Sequence, residues 1–279
     1  MPAVPTAKLT DDLRLAHLLA DDADSITMSR FKALDLHVTS KPDLTPVTDA
    51  DTSVEEALRR TLGRARPRDA VHGEELDDTG WGPRRWVIDP IDGTKNYVRG
   101  VPVWATLISL MIEDQPVVGV VSAPALGRRW WASLDGGAYM GKSLMSASPI
   151  HVSDVAKISD ASLSYSSLDG WITSGIGQGF VDLLRDCWRT RAFGDFWSYM
   201  LLAEGAVDLA CEPELELHDM AACSIVVTEA GGRFTDLDGK PGPNGTGAYA
   251  SNGRLHDELL SRLASSDDPD APDETGTES

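Results

Sequence analysis

The tightest constraint on the fold lies at Trp86-Val87-Ile88-Asp89-Pro90-Ile91-Asp92-Gly93-Thr94-Lys95-Asn96, an apolar run that breaks off into two carboxylates, a proline, a glycine and a threonine. A buried strand tolerates no charge along its middle, so the run predicts a strand that ends as Asp89 and Asp92 emerge into a loop. Two carboxylates converging at a strand end call for a cation. Magnesium suits such a place: it takes oxygen ligands, is held by one or two protein carboxylates, and completes its shell with water and substrate phosphate. Phosphate chemistry is the first expectation.

Other acids fall at predicted element ends nearby. In Lys41-Pro42-Asp43-Leu44-Thr45-Pro46-Val47-Thr48-Asp49-Ala50-Asp51 the prolines forbid a regular helix, and Asp51-Thr52-Ser53 precede a good one over 54–64. Asp51 is then either a helix cap or a ligand. Glu74 and Glu75 follow Gly73 at the end of a short strand, as a solvated turn or as further ligands. Thr94 is placed to orient a water, or to satisfy a turn amide. Asp219 opens a predicted helix that runs to 230 and stops at Gly231-Gly232. With Asp219, the residues Asp51, Glu74, Asp89 and Asp92 form a set that cannot stay ionised at close quarters without cations. Two or three Mg²⁺ would neutralise it, and Mn²⁺ would also serve.

The rest of the chain predicts an α/β protein. Residues 1–9 read as a loose end, with Thr10-Asp11-Asp12 capping a helix through Leu13, Ala16, Leu19, Ala23 and Ile26. Strands are expected over 103–112, 116–122, 128–133 and 138–139, joined by tight turns into an antiparallel meander. An irregular connection over 143–154 divides an N-terminal α+β half (1–145), with most of the acids, from a C-terminal α/β half (146–264). The second half predicts strands at 161–166, 189–193, 207–211 and 248–250, and helices at 179–188, 195–204 and 254–263. Residues 265–279 hold six acids and no base and are expected to be disordered.

The formal net charge of −19, about −13 without that tail, disfavours nucleic acid and anionic membranes as partners. The three cysteines (Cys187, Cys211, Cys223) have no CxxC spacing and suit a reducing compartment; with no apolar run long enough to span a bilayer, a cytoplasmic protein is expected. Gly136 to Ser143 fits GxxxxGK[ST] letter for letter, but a phosphate-binding loop of that kind must open a helix. The residues after Ser143, with Pro149, have no helical period, so nucleotide binding is not expected there.

The block Trp86 to Pro102, with PVTDAD ending at Asp51, GEE at Gly73 to Glu75, and HDMAACSIVVTEAGG from His218 to Gly232, closely resembles the signatures of the inositol monophosphatase-like superfamily. The resemblance implies an αβαβα layered sandwich of the inositol monophosphatase and sugar phosphatase type, usually a homodimer, with Mg²⁺-dependent and often lithium-sensitive activity. It implies metal binding by Glu74, Asp89, the carbonyl of Ile91, Asp92 and Asp219, with Asp51 assisting. Gly93 and Thr94 would hold phosphate, and Thr94 would orient the attacking water with Glu74 or Asp51. His218 stands where the family usually has Trp. Arg191-Ala192-Phe193-Gly194-Asp195-Phe196-Trp197-Ser198-Tyr199 is similar to the GDxxxY block of the superfamily's histidinol-phosphatase members. That similarity implies a small phosphate ester carrying an ammonium group and an imidazole, for which Asp195 and Glu212 offer negative partners and Arg191 a polar one. Asp195 would alternatively be a helix cap. The alternatives are an inositol or broader sugar phosphatase, and a metal-bound regulatory protein without turnover.

Overall fold

The computed structural model describes residues 6–42 and 45–264. Helix α1 (Thr6–Arg30) precedes a small antiparallel hairpin of β1 (Val38–Ser40) and β2 (Pro46–Thr48). Next come α2 (Asp49–Ala65), β3 (Ala70–Gly73), β4 (Arg84–Asp92) and α3 (Thr94–Val98). The meander follows as β5 (Ala105–Ile112), β6 (Gln115–Ala123), β7 (Arg128–Ser133), β8 (Gly137–Met140) and β9 (Ser148–Pro149). The remaining elements are β10 (Ser162–Ser164), α4 (Asp169–Thr173), α5 (Gly177–Asp186), β11 (Arg189–Arg191), α6 (Asp195–Ala203), β12 (Leu209–Glu212), α7 (Leu217–Glu229), β13 (Arg233–Thr235), β14 (Ala248–Ser251) and α8 (His256–Leu263).

Strands β3 to β9 lie side by side in chain order as a seven-stranded sheet, parallel only between β3 and β4. The second sheet has the order β11-β10-β12-β14-β13. Helices α1 and α2 cover the outer face of the first sheet, where Leu19 and Leu58 pack with Trp86, Ile108 and Val118. Between the sheets, α6 and α7 bury Tyr199, Met200, Cys223 and Val226 against Leu107 and Val121 on one side and Ala210 and Ala250 on the other. Phe180 of α5 and Leu259 of α8 close the far face over Leu209 and Tyr249. The layers are therefore α, β, α, β, α, and the central core draws on both halves of the chain.

Two local expectations change. Helix α1 already runs at Thr6, so Thr10-Asp11-Asp12 lie inside it rather than capping it; residues 1–5 of the expected loose end are outside the described residues. Asp12 is instead a buried anchor, accepting hydrogen bonds from Arg66 Nε (2.9 Å) and Arg84 Nη2 (3.1 Å). Helix α2 starts earlier than expected, because Thr48 is its cap and Asp51 already belongs to its first turn. Gly136 to Ser143 runs through edge-proximal β8 into a single 3-10 turn, and no α-helix follows Lys142. The acidic tail and Asp43 fall outside the described residues.

Candidate metal centre and substrate cavity

The open end of the sandwich holds a cavity of about 620 Å³ lined by Lys41, Glu74, Thr94, Asp195, His218 and Asp219 among others. Strand β4 runs into it. Its antiparallel pairing with β5 is regular up to Asp89 and then shifts register before Asp92, so that both carboxylates reach one place. One oxygen each from Asp89, Asp92 and Asp219 lies within 4.8 Å of the others.

The two helices that deliver the remaining acids do so by the same device. Asp51 is the third residue of α2, and its Oδ2 accepts from Thr48 N (2.9 Å) and Thr48 Oγ1 (2.5 Å). Asp219 is the third residue of α7, and its Oδ2 accepts from Glu216 N (2.7 Å). In each case one carboxylate oxygen closes a capping box while the other remains for the site. Asp51 is thus not the N-cap of α2, which is Thr48; it closes the capping box from the third position and turns its Oδ1 toward Thr94. The positive dipole ends of α2, α6 and α7 meet here, favouring bound anions.

Thr94 Oγ1 donates to Ile91 O (2.9 Å) and stands 3.5 Å from Asp51 Oδ1, so its hydroxyl bridges the strand end and the helix acid. Gly93 takes φ +83° as the residue capping α3, and a Cβ there would come within 3.2 Å of Asp195 Oδ2 and 3.1 Å of Val103 O. Only glycine combines that backbone with that space. Asp195 is the first residue of α6, whose cap is Gly194; it is not a cap itself. Its Oδ2 accepts from Asn96 Nδ2 (3.2 Å), and its N–H donates to Ser166 Oγ (2.9 Å). Ser166 Oγ donates onward to Glu212 Oε2 (2.6 Å), leaving Glu212 Oε1 buried without a partner.

The electrostatics match a centre built for cations. Burial and then the neighbouring Glu74, Asp92 and Asp219 charges push the Asp89 carboxyl well up. Asp92 is raised by burial and by Asp195 and Asp219, although Phe196 N donates to its Oδ2 (2.7 Å). Asp219 is raised by burial, against the opposing effect of His218. Burial also lifts Asp51 and Asp195 to about 6 and Glu212 to about 8. Asp89 Oδ1 is buried with no hydrogen-bond partner, as expected of an atom that a hard cation would satisfy. The donor set of carboxylates and one carbonyl fits Mg²⁺. Lys41 places its ammonium between Glu74 Oε1 (2.7 Å) and Glu75 Oε1 (2.8 Å). Burial lowers the Lys41 pKa, but those two hydrogen bonds outweigh it and raise the group overall.

Of the residues singled out in the sequence, Glu74, Gly93, Thr94, Asp195 and Asp219 line this cavity, and Asp89 and Asp92 meet Asp219 beside it. Arg191 lies apart from its lining: it is exposed on edge strand β11, and its Nη1 donates to Thr190 O (2.7 Å). Glu212 is on β12 itself rather than after it. Sequence reasoning passed over Asn96 and Ser166, which hold Asp195. Asn96 stood inside the signature block, and Ser166 ends a predicted strand, so position was their only signal.

Carboxylates converging at the open end of a layered αβαβα sandwich, beside a glycine-threonine turn and three helix starts, define a metal-binding phosphatase class. The chain belongs to the inositol monophosphatase family, whose profile matches residues 9–267. It is 68% identical over 257 residues to a histidinol-phosphatase of Streptomyces coelicolor, covering 91% of this chain and 97% of that one. A histidinol-phosphatase of Mycobacterium tuberculosis is 57% identical over 254 residues, covering 91% and 98%. Among solved structures, an inositol monophosphatase from Zymomonas mobilis superposes with a TM-score of 0.80 at 33% identity, covering 91% of this chain and 98% of that one. Among the described residues no helix is long and apolar enough to cross a membrane.

Proposed function

We propose that the chain hydrolyses L-histidinol phosphate to L-histidinol and phosphate, with Mg²⁺ as cofactor. The observation that carries this is its likeness, over 91% of its length, to two histidinol-phosphatases, with the acid cluster intact. Asp89, Asp92, Asp219, Glu74 and the Ile91 carbonyl would hold two or three ions. Bound there, Mg²⁺ or Mn²⁺ supplies charge neutralisation for the phosphate and a more acidic water. The amides of Gly93 and Thr94 receive the phosphate oxygens. The Thr94 hydroxyl, between Ile91 O and Asp51, aligns the attacking water, and Asp51 or Glu74 takes its proton; with its pKa lifted to about 6, Asp51 is matched to that task near neutral pH.

Substrate choice would rest on Asp195 and Glu212: half-buried Asp195 would offer charge to an ammonium or imidazolium, and buried Glu212, lifted to about 8, a hydrogen bond to a hydroxyl or amine. Inositol carries only hydroxyls and gains less from them. A cytoplasmic homodimer is the assembly we propose, to be checked by sedimentation. The substrate is tested by Mg²⁺-dependent phosphate release from L-histidinol phosphate, inositol 1-phosphate, fructose 1,6-bisphosphate and 3′-phosphoadenosine 5′-phosphate. The largest kcat/KM is expected for histidinol phosphate. A larger value for inositol 1-phosphate would replace the proposal with an inositol phosphatase.

A further inference from the structure

Asp51, Glu55 and Arg59 recur every four residues on α2 and so share one face of the helix. Asp51 is at the reaction centre, but Glu55 is not. Its carboxylate is completely buried, yet it pairs with more than its helical neighbour Arg59. Glu55 Oε2 accepts from Glu75 N (2.8 Å), and Oε1 accepts from Leu76 N (3.2 Å) and Arg59 Nε (2.8 Å). Arg59 completes the clamp by donating from Nη2 to Leu76 O (3.0 Å) and from Nη1 to Thr79 Oγ1 (3.1 Å). The segment so held follows β3 directly, and Glu74 is the residue between the strand end and the first clamped amide. A buried charge accepting two successive backbone amides fixes a loop far more firmly than an apolar contact would.

Gly73 makes the clamp possible. A Cβ at that position would fall inside van der Waals contact of the Glu55 carboxylate, so any other residue would displace it. The Lys41 ammonium pairs with Glu74 and Glu75 on the same loop.

We propose that Glu55 is a positioning residue for metal binding: through the amides of Glu75 and Leu76 it sets the loop that delivers Glu74 to the acid cluster. This rests on Glu74 being a metal ligand. The test is calorimetric titration of the purified full chain with Mg²⁺ alone. Glu55→Gln turns an amide donor toward donors already present and should weaken Mg²⁺ binding about tenfold or more, the range seen when groups supporting metal ligands are removed. The Mg²⁺ concentration for half-maximal phosphate release should rise in step, with KM for the ester little changed. Gly73→Ala should produce a similar loss, and adding it to Glu55→Ala should cost nothing further, because the clash is then gone. Leu58→Ala, a core truncation on the same helix, should keep its Mg²⁺ affinity within about twofold.

Unchanged Mg²⁺ affinity in folded Glu55→Gln overturns the proposal. If that variant does not fold, Arg59→Lys, which removes the bonds to Leu76 O and Thr79, decides by the same criterion. An equal loss in Leu58→Ala also overturns it, by showing a general response to lost stability. A wild-type chain that binds Mg²⁺ but spares histidinol phosphate refutes the proposed substrate and leaves this test intact.

Discussion

Asp89→Asn should stabilise the metal-free protein while abolishing its activity. Two unit charges 4.8 Å apart, the limit of separation in the cluster, repel by about 3.5 kcal/mol at an effective dielectric of ~20. Full ionisation would set two such pairs, with Asp92 and Asp219, against Asp89. The cluster avoids most of this by retaining protons, as the raised carboxyls show. The part relieved by an uncharged side chain is then about 1–3 kcal/mol. For a chain of this size each kcal/mol moves the melting temperature by roughly 2–4 °C, so a rise of about 2–12 °C is expected in EDTA. The sign reverses with excess Mg²⁺, because binding stabilises only the wild type, by about 2.7 kcal/mol at a hundred times Kd. Thermal unfolding of both proteins in EDTA and in Mg²⁺ is the assay. A variant that melts lower than wild type in EDTA, or that gains as much from Mg²⁺, would refute the electrostatic argument.

Three further outcomes are expected. Thr94→Ala should lower kcat roughly a hundredfold or more with the melting temperature little changed, since it removes the hydroxyl proposed to orient the water and none of the core; stopped-assay kinetics would show it. Asp195→Asn should raise KM for histidinol phosphate about tenfold, the worth of one charged hydrogen bond, and leave a neutral phosphate ester nearly unaffected; equal changes on both would remove Asp195 from substrate choice. His256 is buried between Ser251 Oγ (2.9 Å) and Thr235 Oγ1 (3.2 Å), and burial, with help from Arg233, lowers its pKa from 6.5 to about 4. The unfolded chain therefore takes the proton first, so this group's contribution is complete above pH 6.5 and is lost as pH falls toward 4. Urea unfolding of His256→Gln against wild type should show their difference narrowing by about 1–2 kcal/mol across that window.

How far the sequence discloses this molecule depends on the range of the interactions involved. The meander was readable because Val and Ile runs and tight turns are local signals, and β5 to β8 lie within two residues of their expected ends. The start of α1 was not, because Thr10-Asp11-Asp12 resembles a cap while the partners that bury Asp12 lie 54 and 72 residues away. Short α4 carries too little periodicity to announce itself. Asp51 illustrates a different limit. Its spacing allowed either an N-cap or a ligand, and only the folded chain shows Thr48 as the cap with Asp51 closing the capping box from the third position. Glu55 was invisible for the same reason: a glutamate inside a helix looks solvated until the loop it anchors is folded against it.

The proposed activity requires that this acid cluster, loaded with Mg²⁺, support cleavage of L-histidinol phosphate. Phosphate release by the purified chain should be rapid with Mg²⁺, vanish in EDTA and return when Mg²⁺ is restored in excess. Release that persists undiminished in EDTA, or none from histidinol phosphate at saturating Mg²⁺ in a folded protein, would contradict it.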